Sequence, residues 1–526
     1  RANRPYRSAA MASRAATSQR PHPGTRECLW EVTAPGATEA VPTSFAGGIV
    51  LRWGARRTEA LGFYDTYDWD LAFAGLALVR RGRMARLCPA GHWQARTALA
   101  RQALPCPPRP GLPLDLPDGA LAEALGERVG CRRLLLAGTV CCRVTPGTVH
   151  AAGGVLLGHI ASEAYEPLPG SGRAPFTLVR WRPAGPRGQR LAAVDKGLTA
   201  AGLMRLGRAD LRALPARLLA VPAREALRPR VRASARGPAR TVVLSLALAL
   251  LAAMRRYEDG IRRGLDPECL HQYRVLLRRL RSLVSQMRRV LPDAVTGALR
   301  ESLRDLARRT GRLRDLDVLL LAEPAYRRMV PEALQPPLSK AFLAARRRRG
   351  LERGRFVLYL RSSRYAARMA ALQQVIALAL EDTLPVEAGV PIGRLVRKRL
   401  RRQYRRIRRE AAELPGTAPD AAYHRIRIRC KRVRYLLDLF QEVLCGGPAA
   451  VLLKRLQALQ EVLGAVNDLA VQRGHLEGLL AAGSGAPAMT NLWRRLGRRR
   501  ELLDRRVRVL LCRLCHPSTA QALKRL

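Results

Sequence analysis

Two sets of basic side chains recur at helical spacing in the second half of the sequence. Each set is a histidine followed three, seven and ten residues later by a cation: His271, Arg274, Arg278 and Arg281, and then His424, Arg427, Lys431 and Arg434. At 100° per residue, the members of a set lie along one line of an α-helix. Guanidinium groups bind phosphate oxygens as a fork, and histidine can donate to them. We call these sets the first and second stripe, and they indicate an anionic ligand.

The stripes belong to an internal repeat with a constant offset of 153 residues. The segments beginning at Gly311 and Gly464, each of which contains an aspartate at its fifth position, keep the same offset as the histidines. Arginine-rich codon usage would scatter arginine around a helix and would not restore the same line in a second place. The sequence therefore predicts two homologous helical units, packed about a pseudo-twofold axis.

The other side of each stripe helix is apolar. Its residues are Leu276, Leu280, Leu283 and Met287 in the first helix, and Ile426, Val433, Leu437 and Phe440 in the second. Like charges four residues apart cost a helix about 0.2–0.5 kcal/mol per pair, so the stripes oppose folding unless an anion lies between them. A solvated basic face is the alternative for a single helix, and the repetition makes it the weaker interpretation.

Further charged residues flank the stripes. Asp315 and Asp468 would repel a polyanion, so we expect them to pair with stripe arginines and to fix those side chains. The clusters Arg346–Arg349 and 394–409 are compatible with a wider basic surface and equally with exposed helix faces.

The composition restricts the class of protein. The 526 residues include 94 Lys and Arg against 41 Asp and Glu, a net charge of +53, and 48% of them are hydrophobic. That apolar content excludes a disordered basic tail, and the length suits two to four domains at roughly 100–200 residues each. A chain this positive needs an anionic partner: nucleic acid, an anionic membrane or polyphosphate.

The composition changes along the chain. We assign residues 1–25 to a disordered segment or linker, 26–225 to a domain of short strands punctuated by Gly and Pro, 226–240 to a basic linker, and 241–526 to amphipathic helices. The fold class is therefore a two-domain α+β protein. The longest apolar run, from Thr241 to Met254, is too short for a membrane span of about 20 residues, so we predict a buried helix and no membrane span.

The helical half, about residues 245–515, resembles the CHAD domain, the conserved histidine α-helical domain. The similarity rests on the two stripes, the Gly-x-x-Arg-Asp-Leu-Asp motif at 311–317, Arg434-Tyr435, and Leu-Gly-x-x-Asn-Asp at 463–468. It implies two four-helix bundles around a basic channel that binds inorganic polyphosphate. The implied phosphate contacts are His271, Arg274, Arg278, Arg279, Arg281, His424, Arg427, Lys431, Arg432 and Arg434.

The stretch from Phe63 to Arg81 resembles the CYTH, or triphosphate-tunnel, family, which implies an antiparallel, β-barrel-like domain. In a working tunnel, basic residues hold a triphosphate and alternating glutamates hold a divalent metal. Here only Glu27 and Glu31 occur near the start, and the segment 176–181 has no carboxylate. We therefore expect a degenerate domain with no catalytic residues, no metal and no cofactor.

Two smaller features of this domain also have expected roles. We assign Asp65, Asp68 and Asp70 to a turn rather than to a metal site. Arg80 and Arg81 are candidate phosphate contacts.

The sequence thus predicts a non-catalytic protein that binds inorganic polyphosphate and, by the same chemistry, other phosphate polyanions. A metal-dependent inorganic triphosphatase and a nucleic-acid-binding protein remain as alternatives. Aromatic residues make up only 5% of the chain and are absent from the stripes, which disfavours base stacking. The eleven cysteines show no disulfide framework, and Cys512-x-x-Cys515 lacks a second pair for zinc. We expect a cytoplasmic protein associated with polyphosphate granules.

Overall fold

The computed structural model describes residues 28–32, 43–93, 98–104, 116–130, 132–167, 169, 173–184, 189–219, 221–222, 229, 234–330, 332, 335–379, 389–415, 418–444, 447–480 and 486–525. The chain divides into two compact units, residues 1–224 and 225–526. The segment 1–25 and much of the linker predicted at 226–240 lie outside the described residues.

The first unit is built on an antiparallel sheet. Its strands are β1 (Cys28–Val32), β2 (Ser44–Phe45), β3 (Ile49–Trp53), β4 (Arg57–Asp65), β5 (Leu76–Arg81), β6 (Met84–Pro89), β7 (Ala100–Ala103), β8 (Leu135–His150), β9 (Leu156–Glu166), β10 (Phe176–Pro183) and β11 (Leu203–Arg205). The hydrogen-bonded order is β11-β1-β10-β9-β8-β4-β5-β6-β7, with β3 pairing β2 and β8. The predicted antiparallel domain is confirmed, but its barrel-like closure is wrong for the described strands. The path ends in two short strands, which leave few unpaired backbone groups at the edges.

In the described part of this unit, helices accompany the sheet at α1 (Asp70–Phe73), α2 (Ala120–Val129), α3 (Gln189–Ala200) and α4 (Arg208–Leu218). Alternating strand residues face opposite sides, so the apolar residues form separate cores. One core contains Phe63, Val140 and Trp93, and another contains Trp30, Val149 and Trp181.

The three aspartates that follow β4 organise a turn. The Asp65 carboxylate accepts hydrogen bonds from the backbone N–H groups of Thr66 at 2.7 Å, Leu71 at 2.9 Å and Ala72 at 2.9 Å. Asp68 and Asp70 both pair with Arg132, at 2.5 Å and 2.7 Å. These contacts agree with the turn assignment, because each carboxylate is engaged by the protein's own donors.

Over its described residues, the second unit contains helices and no strand, apart from an isolated β-bridge between Pro238 and Pro391. Its helices are α5 (Ala239–Arg263), α6 (Pro267–Gln286), α7 (Asp293–Arg309), α8 (Gly311–Leu321), α9 (Glu323–Met329), α10 (Gln335–Arg361), α11 (Ser363–Leu378), α12 (Ile392–Ala412), α13 (Asp420–Leu439), α14 (Gly447–Leu480), α15 (Ala486–Cys515) and α16 (Pro517–Arg525), with a short 3₁₀ turn at Arg288–Val290. The described helical layout agrees with the predicted all-α half.

The helix bounds reproduce the offset found in the sequence. Both ends of α6 map onto those of α13 when 153 residues are added, and the start of α5 maps onto that of α12. Equivalent helices contact each other across the repeat, α5 with α12 and α6 with α13. Two copies related by a pseudo-twofold axis pair like with like in this way. The repeats differ at one point: α7 and α8 are separate helices in the first repeat, whereas their counterpart in the second repeat, α14, is one continuous helix.

The apolar run from Thr241 to Met254 lies in α5. Val243, Leu250 and Met254 are each at most 1% exposed, which confirms the predicted buried helix. The helix ends at Gly264, whose φ of 68° is the left-handed conformation that glycine adopts without strain. None of the described helices is both long enough and apolar enough to cross a membrane.

The stripe helices α6 and α13 are held by their apolar faces. All eight residues predicted for those faces are at most 3% exposed. At roughly 25 cal/mol per Å² of apolar surface, burial of such a face outweighs the repulsion along each stripe. Gln286, at the end of α6, donates from Nε2 to the backbone oxygen of Arg432 at 3.4 Å, which links the two helices directly.

Candidate anion-binding site

The first stripe is anchored at the break between α7 and α8. Arg274 donates from Nη1 to the backbone oxygen of Ala307 at 3.0 Å and to Oγ1 of Thr310 at 2.7 Å. Burial and the charge of Arg278 lower the pKa of the Arg274 guanidinium, and Asp315 opposes this. Asp315 therefore acts on a stripe arginine, although among the described residues it makes no ion pair within 4 Å.

Two arginines outside the stripes join this cluster. Burial and the charges of Arg304 and Arg278 lower the pKa of Arg281, and Arg314 similarly lowers that of Arg274. Neither Arg304 nor Arg314 was predicted from the sequence to belong to the site. Arg314 belongs to the motif at 311–317, which was the available signal, whereas Arg304 has no such mark.

The second stripe contains the cation with the largest change in pKa. Burial and the charges of Arg427, Arg278 and Arg434 lower the pKa of the Lys431 ammonium to about 7, and Asp468 opposes them. The pKa of Arg427 is lowered by burial and by Arg278 and Arg434, again against Asp468. Asp468 thus acts on the stripe cations through its charge, although among the described residues it makes no ion pair within 4 Å, so its pairing with a stripe arginine stays a prediction.

The two stripes converge. Arg278 belongs to the first stripe, yet its charge acts on both Arg427 and Lys431 of the second. In the part of the chain that the structure describes, Arg278, Arg281, Arg427 and Lys431 have no carboxylate within 4 Å. We call Arg274, Arg278, Arg281, Arg427 and Lys431 the stripe site. Such a concentration of positive charge, which Asp315 and Asp468 offset only in part, is stabilised by an anion.

The remaining second-stripe residues border the stripe site. His424 and Arg427 line a cavity of about 410 Å³. Nδ1 of His424 lies 3.4 Å from Oδ1 of Asn467. Arg434 has its guanidinium carbon 5.6 Å from the ring centroid of Tyr435, and its Nε lies 3.7 Å from Oδ2 of Asp438. His271, the first-stripe counterpart of His424, is half-buried on α6.

The structure places Arg432 away from the stripe site. One residue further along α13 than Lys431, it is turned by about 100°. Burial and the charges of Arg429 and Arg406 lower its pKa, so its charged neighbours lie on α13 itself and on α12. Arg279 holds the equivalent position on α6. The ten predicted phosphate contacts therefore do not all face one surface.

Comparisons with known proteins bear on the helical unit. Residues 245–477 match the family model of the CHAD domain. These residues form a CHAD domain. The family is linked to polyphosphate binding in general, and the sheet-rich first unit is consistent with a CYTH-like domain.

Individual relatives match the same portion of the chain. Two from Mycobacterium tuberculosis, the Uncharacterized protein MT2285 (strain CDC 1551 / Oshkosh) and the Uncharacterized protein Rv2226 (strain ATCC 25618 / H37Rv), are each 28% identical over 228 residues. The match covers 40% of this chain and 40% of each relative, so the chain spans about 40% of the length of these curated relatives.

Two solved structures are also similar. The CHAD domain from the plant Ricinus communis has 24% identity and a TM-score of 0.41, and covers 57% of this chain and 96% of its own. PptA from Streptomyces chartreusis has 18% identity and a TM-score of 0.38, and covers 55% of this chain and 100% of its own.

The CHAD domain also contains a buried acidic residue that the sequence analysis did not assign. Asp317 is 2% exposed and accepts a hydrogen bond from Nε of Arg349 at 2.6 Å. Arg346, from the same arginine cluster, pairs with Glu323. Half of the cluster 346–349 is therefore committed to ion pairs within the domain, while Arg347 and Arg348 are exposed.

The pair between Asp317 and Arg349 gives a stability prediction. Replacing Arg349 with alanine removes one ion-pair partner of a buried carboxylate, a loss that costs about 3–5 kcal/mol in a buried pair. Because Arg349 keeps about a third of its surface, we expect roughly 2–3 kcal/mol, measured by urea unfolding of the full chain. Arg348→Ala, which removes an exposed neighbour, should change the unfolding free energy by less than about 0.5 kcal/mol. Equal effects of the two substitutions would contradict a structural role for this pair.

Proposed function

We propose that the CHAD domain binds inorganic polyphosphate without cleaving it, and that the stripe site makes the contact. The observation that carries the proposal is the approach of Arg278 to Arg427 and Lys431 from the opposite repeat, with no carboxylate within 4 Å of these three side chains among the described residues. The family's general link to polyphosphate supports the choice of polymer.

The chemistry of the polymer suits this arrangement. Polyphosphate is a flexible string of closely spaced negative charges and presents no base to be read. Guanidinium groups contact such oxygens through charge-assisted bonds, each contributing about 1.5–3 kcal/mol. Except for Arg281, which is exposed, the stripe cations are half-buried on helices whose other faces are packed, so little ordering is required when the polymer binds.

The first unit supports a non-catalytic protein. Arg180 is buried and donates from Nε to Oε1 of Glu163 at 2.8 Å and from Nη2 to the backbone oxygen of Gly91 at 3.2 Å. Glu163 also accepts from the hydroxyl of Tyr165 at 2.7 Å, which in turn accepts from Nε1 of Trp93 at 2.8 Å. This carboxylate and this guanidinium neutralise each other, so neither is available to a metal ion or to a triphosphate.

Arg81, one of the candidate phosphate contacts, is also paired with a carboxylate of the sheet. Its guanidinium lies 2.6 Å from the carboxylate of Glu59 on β4. An arginine already paired in this way must exchange one carboxylate for a phosphate, which reduces the gain in binding free energy. We therefore assign polyphosphate binding to the CHAD domain alone and propose a location on polyphosphate granules in the cytoplasm.

A competition experiment separates the proposed ligand from nucleic acid. With the full chain at about 150 mM salt, we expect long-chain polyphosphate to displace labelled single-stranded DNA. The phosphate concentration that it requires should be at least tenfold below the phosphate concentration at which unlabelled DNA gives the same displacement. The affinity for both polymers should fall linearly with salt on a logarithmic scale, because each releases counterions. DNA that competes as well as polyphosphate would overturn the assignment.

The same preparation tests the triphosphatase alternative. Tripolyphosphate incubated with the protein and Mg²⁺ or Mn²⁺ should release no orthophosphate above the protein-free rate. Release that depends on the metal would show that the first unit is an enzyme.

A further inference from the structure

A second basic cavity lies on another side of the helical unit. Its volume is about 190 Å³. Four arginines and the end of α6 line it: Arg399, Arg402, Arg406, Arg432, Ser285 and Gln286. The first three arginines come from α12 at positions three and seven residues apart, so they share one line of that helix.

Among the described residues, the lining of this cavity carries positive charge and contains no carboxylate. A nearby acid, Glu410, accepts from Nε of Arg429 at 2.8 Å. Desolvation and the charges of Arg402 and Arg429 lower the pKa of Arg406, and burial with Arg429 and Arg406 lowers that of Arg432, while the charge of Glu410 opposes both changes. The arginines therefore repel one another in the free protein, and a bound anion relieves that repulsion.

The cavity is specific to the second repeat. Subtracting the offset of 153 residues places Leu246, Ala249 and Ala253 of α5 where α12 has Arg399, Arg402 and Arg406. Leu246 and Ala253 are at most 2% exposed in the core. Arg399, Arg402 and Arg406 of α12 therefore have no arginine counterparts in the first repeat, unlike the stripe residues. Duplication alone does not explain their presence.

The size of the cavity restricts its ligand. Sites for drug-sized molecules occupy about 300–1,000 Å³, so a cavity of about 190 Å³ suits a compact anion. We propose that it binds a compact phosphate group, either free orthophosphate or pyrophosphate or the terminal phosphate of a polymer, separately from the stripe site. Arg402, Arg406 and Arg432 supply the forked donors. Gln286 positions Arg432 by donating a hydrogen bond to the backbone oxygen of Arg432.

Calorimetric titration of the full chain tests the proposal with two matched variants. Arg402→Ala with Arg406→Ala removes two lining charges, whereas Arg394→Ala with Arg405→Ala removes two exposed charges of the same helix. At constant ionic strength in chloride, we expect the first variant to bind pyrophosphate at least tenfold more weakly than the wild type, and the second within about twofold. Equal binding by both variants would overturn the proposal.

The source of the phosphate is distinguished by a second titration. Orthophosphate and pyrophosphate alone report binding of a free anion. Short-chain polyphosphate with free ends, compared with the same polymer with chemically blocked ends, reports binding of a polymer terminus. The variant with Arg402→Ala and Arg406→Ala should bind the free-ended polymer more weakly than the wild type does, and should bind the blocked polymer equally well. Absence of a difference between the variants with every one of these ligands would contradict the site itself.

Failure of this inference is separable from failure of polyphosphate binding. Arg278→Ala with Arg427→Ala and Lys431→Ala should retain pyrophosphate binding at the second cavity. If that variant loses pyrophosphate while the Arg402 and Arg406 variant keeps it, the compact anion binds at the stripe site and the second site is refuted. Thermal unfolding in phosphate-free buffer checks folding, and Arg402→Gln with Arg406→Gln replaces the alanine pair if that pair is unfolded.

Discussion

Replacing Arg278, Arg427 and Lys431 together with alanine should weaken binding of long-chain polyphosphate by at least about 1,000-fold. Each cation contributes roughly 1.5–3 kcal/mol through charge-assisted bonds, and each 1.4 kcal/mol is a factor of ten in affinity. The three side chains repel one another in the free protein, so their removal should leave the thermal midpoint unchanged or slightly higher. Titration of fluorescent polyphosphate at fixed salt measures the loss.

A matched control separates the stripe site from the general positive charge of the protein. Arg300, Arg347 and Arg348 are exposed cations of the same unit, and replacing them with alanine removes the same net charge. We expect that control to bind polyphosphate within about threefold of the wild type. In cells, a fluorescent fusion of the control should stay on polyphosphate granules while the stripe variant leaves them. Comparable losses in both variants would mean that the site was assigned to the wrong residues.

The stripe helices were predictable because their information is local. Helical spacing alone placed the apolar residues of α6 and α13 on one face, and all of them are buried. The constant offset then indicated two equivalent helices, and their ends agree with it. Neither step required knowledge of which segments pack together.

The division of the cations between two surfaces was not predictable in this way. Lys431 and Arg432 are adjacent, and which neighbour each one faces depends on how α6 and α12 pack around α13. Asp317 and Arg349 lie 32 residues apart, and only the packing of α8 against α10 brings them together. Contacts between helices at such separations leave no periodic signal in the sequence.

The first unit shows the same limit for a sheet. Turn residues and short apolar runs predicted antiparallel strands, but the ion pair between Glu163 and Arg180 depends on the register of β9 against β10, in which Glu163 lies opposite Leu178. A one-residue change of register would place the two side chains on opposite faces. Closure of the sheet likewise depends on pairing between strands that are distant in sequence, which is why it was predicted wrongly.

Polyphosphate affinity should fall between pH 7 and pH 9 because of Lys431. Burial and the nearby charges of Arg427, Arg278 and Arg434 bring the pKa of its ammonium to about 7 in the free protein, against the opposing charge of Asp468. A bound polyanion favours the charged form, so binding above pH 7 requires uptake of a proton. The affinity should fall by at most about 50-fold over this range, which is the limit for one coupled proton with that pKa.

The stability of the free protein should show the opposite dependence. The unfolded chain holds the Lys431 proton up to about pH 10.5, whereas the folded chain releases it above about pH 7, so the unfolded state binds more protons between these values. The contribution of Lys431 to the unfolding free energy therefore increases as the pH rises from about 7 to about 10.5. Saturating polyphosphate should reduce this increase, because it holds the proton on the folded state.

Lys431→Arg isolates the proton from the other pH-dependent groups. Arginine stays charged throughout the range, so the variant should bind polyphosphate with an affinity that changes by less than about threefold between pH 7 and pH 9. Lys431→Met, which carries no charge at any pH, should be flat as well and bind more weakly at pH 7. If the arginine variant keeps the dependence of the wild type, the proton belongs to another group, and Lys431 does not contact the polymer as an ammonium ion.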